Sequence, residues 1–179
     1  MACLHDATQI LPGLWVGSLA SVKNGNLLLK AGITHVITCL SYSEVAERNL
    51  EIPESIQWTI VPVEDEVTDT IFPHIETVVN TIGNVHRENE RALVRDPKAS
   101  ISVSGRVLIH CMGGISRSPS LAAAYVIWRL RLRWVAAVAY VRERRPCADP
   151  NPRFLKDLEA FDRAVFHDET IPTVPNKNR

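Results

Sequence analysis

The chain has 179 residues, of which 46% are hydrophobic and 22% are charged, and its 20 basic and 20 acidic residues cancel. A chain of this size can bury one substantial core, and its balanced charge gives no long-range attraction to nucleic acid or to an anionic membrane. No apolar run reaches the roughly 18 residues of a membrane span, and the N-terminal residues lack the pattern of a signal peptide. We therefore expect a globular protein with no nucleic-acid or membrane partner.

The four cysteines favour a reducing compartment, and so a cytoplasmic or nuclear location. Cys3, Cys39, Cys111 and Cys147 form no C-x-x-C pair and no zinc-ligand spacing with the six histidines, so we expect no metal site. Cys39 closes an apolar strand pattern and is expected in the core. Cys147 lies in a predicted turn, and its alternative role as a resolving thiol for Cys111 is the less favoured one.

The N-terminal half alternates predicted strands with predicted helices. In chain order these are a turn and short strand at 10–17, a helix at 21–31, a strand at 33–40, a short helix at 43–49 and a strand at 58–63. Ser21 is the predicted N-cap of the first helix, and Gly32 lies just past its end. Pro62 places the last of these strands at an edge or an end of the sheet.

The C-terminal half begins with a helix at 72–86, which carries apolar residues at helical spacing. Residues 88–104 mix charges with proline and serine and predict an inserted surface loop. A short apolar strand at 107–109 follows, and then three helices. These are a buried helix at 118–130, an amphipathic helix at 134–145 and a helix at 152–166, which Asn151 caps and Pro152 opens.

Alternating strands and helices predict an α/β fold, with a central, largely parallel sheet flanked by helices. A site in such a fold should lie at the carboxyl ends of the strands. We expect an N-terminal tail at 1–9, one domain at 10–167 that includes the insertion, and a disordered tail at 168–179.

The stretch from Val107 to Ser118 holds the strongest functional signal. Cys111 and Arg117 bracket five residues that include Gly113 and Gly114. A strand that passes through a small-residue loop into a helix directs backbone N–H groups at one spot, which suits a dianion. A cysteine there should have its pKa lowered from about 8.5 toward ~3.5–7.5, and an arginine offers a two-donor fork to a phosphoryl group. This pattern predicts attack of a thiolate on phosphorus.

The run from His110 to Ser118 resembles the H-C-(five residues)-R-[S/T] signature of cysteine-dependent protein tyrosine phosphatases, and its Ser-Arg-Ser ending is most similar to the dual-specificity branch. Further landmarks of that branch are Trp-Val-Gly-Ser-Leu near the N-terminus, Thr-His-Val-Ile-Thr in the second strand, and Glu-Arg-Arg-Pro followed by Asn-Pro-Arg-Phe-Leu. The resemblance covers about residues 10–161 and implies a protein-tyrosine-phosphatase-like fold. Arg153 departs from the glycine that is common in the family.

The resemblance also implies roles for single residues. Thiolate attack needs a general acid for the leaving oxygen, and Asp65 stands three residues after a proline, as in the family's acid loop. Its acidic neighbours are expected to be solvated; they are Glu64, Glu66 and Asp69. His110 is expected to bond nearby backbone. Ser118 is expected to donate to Cys111 and can also cap the next helix, so both roles are open. The phosphate-binding residues are expected to be Met112, Gly113, Gly114, Ile115, Ser116 and Arg117.

The expected reaction is hydrolysis of phosphotyrosine and of phosphoserine or phosphothreonine in a protein substrate, through a phosphocysteine, by a monomer without a cofactor. Arg142, Arg144 and Arg145 either add positive charge or, as favoured, form a solvated helix face. The alternatives are a phosphoinositide or RNA 5′-end phosphatase, a rhodanese-like sulfurtransferase, and an inactive phosphoprotein-binding module.

Overall fold

The computed structural model describes residues 6–95 and 105–167. Within these residues, five strands form one sheet in the order β1-β2-β5-β3-β4. The strands are β1 (Ala7–Leu11), β2 (Leu14–Gly17), β3 (His35–Cys39), β4 (Gln57–Val61) and β5 (Val107–His110). β1 and β2 form an antiparallel hairpin, and all other neighbours are parallel. The predicted α/β class with a largely parallel central sheet is therefore confirmed.

Helices cover both faces of this sheet. They are α1 (Gly25–Lys30), α2 (Tyr42–Glu47), α3 (Phe72–Arg95), α4 (Arg117–Leu130), α5 (Trp134–Arg144) and α6 (Pro152–His167). On the central strand β5, Val107 and Ile109 pack in the larger core cluster, whereas Leu108 packs in the smaller cluster on the other face. β5 is thus buried on both faces, as its apolar run predicts. None of the helices in the described ranges is long and apolar enough to cross a membrane.

The first helix begins later than its sequence suggests. Asn24 is the N-cap of α1, and its side-chain oxygen accepts the N–H of Leu27 at 3.2 Å. Ser21 instead ends a short 3-10 turn at Leu19–Ser21, so the predicted N-cap is wrong. Asparagine is as good a cap as serine, and the sequence pattern did not separate the two starts. Gly32 lies past the end with a φ of 70°, as predicted.

Helix α3 is longer than its apolar stripe. The stripe ends at Val85, but the helix continues to Arg95, so the surface loop predicted for 88–104 is wrong over residues 88–95. This polar extension is anchored from the side, because Asn89 donates to the carbonyl of Gly105 at 2.9 Å and Glu90 pairs with Arg129. Residues 96–104 lie outside the described residues.

The predicted N-terminal end of the domain also needs correction. Residues 7–9, which were expected in an N-terminal tail, belong to β1, because they pair with β2 in the hairpin. At the other end, Asn151 accepts the N–H of Phe154 at 3.0 Å and caps α6, as predicted. The predicted tail at 168–179 lies outside the described residues.

Candidate active site

The sequence's cysteine loop joins the carboxyl end of β5 to the first turn of α4, in the middle of the sheet. The loop can turn this tightly because Gly114 has a φ of 65°, which L side chains rarely adopt. A Cβ at Gly114 would also lie 2.7 Å from the carbonyl oxygen of Gly17 and would collide with Arg145. Glycine is therefore required at this position of the loop.

Cys111 forms the floor of the loop. Its side chain is buried, and its Sγ accepts the N–H of Gly114 at 3.2 Å and the hydroxyl of Ser118 at 3.2 Å. Both donors stabilise negative charge on sulfur. Of the two predicted roles of Ser118, the structure has the contact with the thiol, and the Gly17 carbonyl is a second acceptor at 3.3 Å. The capping role is wrong, because the N-cap of α4 is Ser116, which makes no side-chain cap bond.

Arg117 lies above this floor and is 4% exposed. Its Nη1 donates to Glu44 Oε2 at 2.6 Å and to the carbonyl of Val63 at 3.1 Å, and its Nη2 donates to Glu44 Oε1 at 3.2 Å. Its Nε is buried and has no hydrogen-bond partner among the described residues. Arginine has five N–H donors, so the Nε–H and one N–H of Nη2 remain for another acceptor. A phosphoryl group fits such a pair.

Glu44 is a site residue that the sequence analysis missed. It lies in α2, where it also accepts the N–H of Ser41 at 2.9 Å in a capping box. Burial opposes its charge, but the hydrogen bonds from Arg117 and Ser41 outweigh burial and lower the pKa of Glu44. The same contact, again against burial, raises the pKa of Arg117. The Ser-x-x-Glu spacing explains the cap, but no sequence signal links Glu44 to Arg117.

Asp65 is the acidic residue of its segment that reaches the loop. Its Oδ1 accepts the Ser116 hydroxyl at 2.7 Å and the Asn151 amide at 2.9 Å, while its Oδ2 lies 3.9 Å from Arg117 Nε. Two donors therefore hold Oδ1, and Oδ2 is the oxygen that faces the Arg117 guanidinium.

The other carboxylates of this segment have other surroundings. Glu64 and Glu66 are exposed, as Asp65 is, so Asp65 differs from them in its contacts with Ser116 and Asn151 and not in its exposure. Asp69 accepts the N–H groups of Glu64 and Thr70, each at 2.7 Å. The side chain of Asp69 therefore shapes the segment itself and does not contact the cysteine loop.

His110 supports the loop from below. Its Nε2 lies 2.8 Å from the Thr38 hydroxyl oxygen, and its Nδ1 lies 3.4 Å from the carbonyl of Cys111. Since Trp58 Nε1 donates to Thr38, the threonine hydroxyl can in turn donate to Nε2. In that arrangement the ring proton is on Nδ1, which faces the Cys111 carbonyl. Burial and, to a lesser degree, Arg117 lower the pKa of His110 to about 4, so the ring is neutral at pH 7.

The described residues include two further thiols. Cys39 is fully buried, as predicted for a core cysteine, and burial raises the pKa of its thiol. Cys147 is exposed, and both are free thiols. Among the described residues, no three side chains of the metal-ligating types come together as a metal site.

The three arginines near the end of α5 do not form one solvated face. Arg142 pairs with Asp149 at 2.6 Å, and Arg144 lies 3.5 Å from the centre of the Tyr140 ring. Arg145 is 4% exposed and contacts the loop backbone. The predicted solvated face is therefore wrong for Arg145.

The chain is similar to a known protein family and to several known proteins. The family model described as "Dual specificity phosphatase, catalytic domain" matches residues 98–164. Dual specificity protein phosphatase 16 of Homo sapiens is 35% identical over 158 residues, which are 88% of this chain and 21% of that protein. Dual specificity protein phosphatase 22 of Mus musculus is 28% identical over 160 residues, which are 89% of this chain and 76% of that protein. The chain thus spans about a fifth of the first relative and about three quarters of the second.

Solved structures show the same fold. The crystal structure of DUSP15 superposes with a TM-score of 0.72 at 27% identity and covers 90% of both chains. The crystal structure of a human tyrosine phosphatase-like serine/threonine/tyrosine-interacting protein gives a TM-score of 0.75 at 24% identity, with 90% of this chain and 98% of that chain covered. At that identity the second likeness concerns the fold alone.

Proposed function

We propose that this chain, which belongs to the dual specificity phosphatase family, hydrolyses phosphotyrosine and phosphoserine or phosphothreonine in proteins through a phosphocysteine at Cys111. One observation carries the proposal. A buried thiol with two hydrogen-bond donors lies under a loop whose arginine keeps two donors unused by the described residues. Such a site binds a phosphoryl group against a nucleophile.

In the first step, the Cys111 thiolate attacks phosphorus while the loop N–H groups and the free edge of Arg117 hold the phosphoryl oxygens. A P–S bond forms, and the bond from phosphorus to the leaving oxygen breaks. The leaving oxygen takes a proton from Asp65, which the Ser116 and Asn151 side chains hold beside the loop. The proton makes a phenol or an alcohol leave as a neutral molecule.

In the second step, Asp65 accepts a proton from water, which attacks phosphorus and releases phosphate. The P–S bond breaks, and the sulfur leaves as a thiolate. Ser118 stabilises this charge through its hydroxyl, 3.2 Å from Sγ. The amides and Arg117 supply the positive potential, so the proposed reaction requires no metal ion.

The charges around the loop support a substrate with a single phosphoryl group. The loop carries no charged side chain before Arg117, and Ile115 is 46% exposed at its rim. The nearby basic groups of α5 are engaged, since Arg142 and Arg144 have acidic partners and Arg145 is buried. A ligand with several phosphates would find few unpaired cations here. A protein phosphomonoester therefore fits better than a phosphoinositide or a triphosphorylated RNA end.

The test is a substrate panel with phosphotyrosine and phosphothreonine peptides, a phosphoinositide, triphosphorylated RNA and thiosulfate. We expect the highest kcat/KM for the peptides. A tenfold preference for the lipid or the RNA, about 1.4 kcal/mol in transition-state binding, would overturn the protein-substrate proposal. Tight phosphopeptide binding without turnover would indicate the binding module, and turnover of thiosulfate would indicate a sulfurtransferase.

A further inference from the structure

Arg145 is a buried cation that the proposed chemistry does not use. It follows the last residue of α5, and its side chain is 4% exposed. Its Nε donates to the carbonyl of Gly114 at 2.7 Å, and its Nη2 reaches the carbonyl of Gly113 at 3.5 Å. Its Nη1 donates to the carbonyl of Asp6 at 3.1 Å and to the hydroxyl of Thr8 at 3.2 Å. The guanidinium therefore joins the cysteine loop to the N-terminal strand.

The carbonyls that Arg145 holds belong to the peptide groups whose N–H groups line the loop. A trans peptide group is planar, with its C=O and N–H on opposite sides. The carbonyl of Gly113 shares its plane with the N–H of Gly114, which donates to Cys111 Sγ at 3.2 Å. The carbonyl of Gly114 likewise sets the direction of the N–H of Ile115. Holding these oxygens outward directs both N–H groups inward.

The contacts of Arg145 with the Gly113 and Gly114 carbonyls form a clamp on the outside of the loop. The connection between α5 and α6 extends this clamp along the loop. The N–H of Asp149 donates to the carbonyl of Ile115 at 2.7 Å, and the N–H of Asn151 donates to the Ser116 hydroxyl at 3.1 Å. Three consecutive loop carbonyls are thus bound from outside, two of them by Arg145. The clamp is needed where the backbone is least constrained, because the Gly113–Gly114 peptide lies between residues without a Cβ.

We propose that Arg145 is a positioning residue, which fixes the Gly113 and Gly114 peptide groups so that their N–H donors face the thiol and the bound anion. It acts on the loop from behind and does not itself contact the substrate. The inference rests on the proposed function only in taking the loop as the anion site of the reaction.

The experiment compares wild type with Arg145→Lys, which keeps the charge and loses the planar fork. Arg144→Lys is the matched control, because Arg144 directly precedes Arg145 and its side chain contacts Glu143 and Tyr140 of α5. The main readout is the ratio of the alkylation rates of Cys111 by iodoacetate and by iodoacetamide. The two reagents differ in charge, so the ratio reports how well the loop holds an anion. Orthovanadate inhibition, kcat/KM for an aryl phosphate and thermal unfolding complete the set.

We expect Arg145→Lys to lower the iodoacetate to iodoacetamide ratio and the kcat/KM by about tenfold, less than the roughly 10²–10³-fold loss of a deleted oxyanion donor. Orthovanadate inhibition should weaken in parallel, and Arg144→Lys should match wild type. Thr8→Val removes one acceptor that holds the guanidinium and should lower the same ratio by a smaller factor. If Arg145→Lys does not fold, the ratio in Thr8→Val tests whether the contacts of Arg145 position the loop.

An unchanged ratio in folded Arg145→Lys, or in Thr8→Val if the lysine variant does not fold, would overturn the inference. The wild-type arm separates this failure from a failure of the proposed function. Turnover in wild type with no effect of the variants removes only the role of Arg145. A ratio that depends on Arg145, in a wild type without turnover on any phosphomonoester, removes the proposed function and leaves the positioning role.

Discussion

The neutral, buried His110 makes folding sensitive to mild acid. Its pKa is about 4 in the folded chain, against an ordinary value of 6.5. Between these two values the unfolded chain binds more protons than the folded one, so the free energy of unfolding falls as the pH falls. Between pH 7.5 and pH 5.0, the histidine alone should cost about 2 kcal/mol, since each pKa unit corresponds to about 1.36 kcal/mol. This is a large part of a typical stability of roughly 5–15 kcal/mol.

The assay is urea unfolding of wild type and His110→Gln at both pH values. Carboxylates and His86, whose pKa burial also lowers to about 4, contribute equally to the pH dependence of both proteins. Their effect therefore cancels in the comparison, and wild type should lose about 2 kcal/mol more than the variant. His86→Gln is a control that should keep the His110 part of the loss. Equal losses in wild type and His110→Gln would refute the argument that a buried neutral ring lies beneath the loop.

Three further predictions concern Asp65, Glu44 and residues 96–104. Asp65→Asn should lower turnover about 10²–10⁴-fold for substrates with poor leaving groups and flatten the acid-requiring limb of the pH profile; the same loss in Glu64→Gln instead would contradict the assignment. Glu44→Gln should reduce the free energy of unfolding by about 1.5–3 kcal/mol and lower kcat/KM, because Arg117 loses a charged acceptor. Denaturant unfolding measures the first effect and steady-state kinetics the second. An unchanged kcat/KM would contradict a role of Glu44 in positioning Arg117. Replacing residues 96–104 with a short Gly/Ser linker should preserve cooperative thermal unfolding, since loop length affects stability only logarithmically; loss of cooperativity would show that the segment packs as structure.

The parts of the fold that could be predicted are those in which a local pattern and the tertiary environment agree. The apolar run of β5 predicts burial on both faces, and its neighbours in the parallel sheet provide it. The stripe of α3 predicts the buried part of that helix, but not the polar turns up to Arg95. These turns depend on side chains that reach Gly105 and Arg129, which lie far away in the sequence.

The candidate site shows the same division. Cys111, Arg117 and Ser118 belong to one short motif, so the sequence alone brings them together. Glu44 and Arg145 come from other elements and meet the loop only in the folded chain. Their sequence context indicates a helix cap and a basic helix end, which are ordinary surface features. Only the folded chain, which brings α2 and the end of α5 to the loop that follows β5, shows that these charges contact the loop.

The most direct test of the central claim is to trap the phosphorylated enzyme. Wild type is mixed with an aryl phosphate and quenched in acid, and the modified peptide is identified by mass spectrometry. We expect a phosphoryl group on Cys111, and no turnover in Cys111→Ser, although that variant should still bind orthovanadate. Substantial turnover in Cys111→Ser, or a phosphoryl group on another residue, would contradict the account.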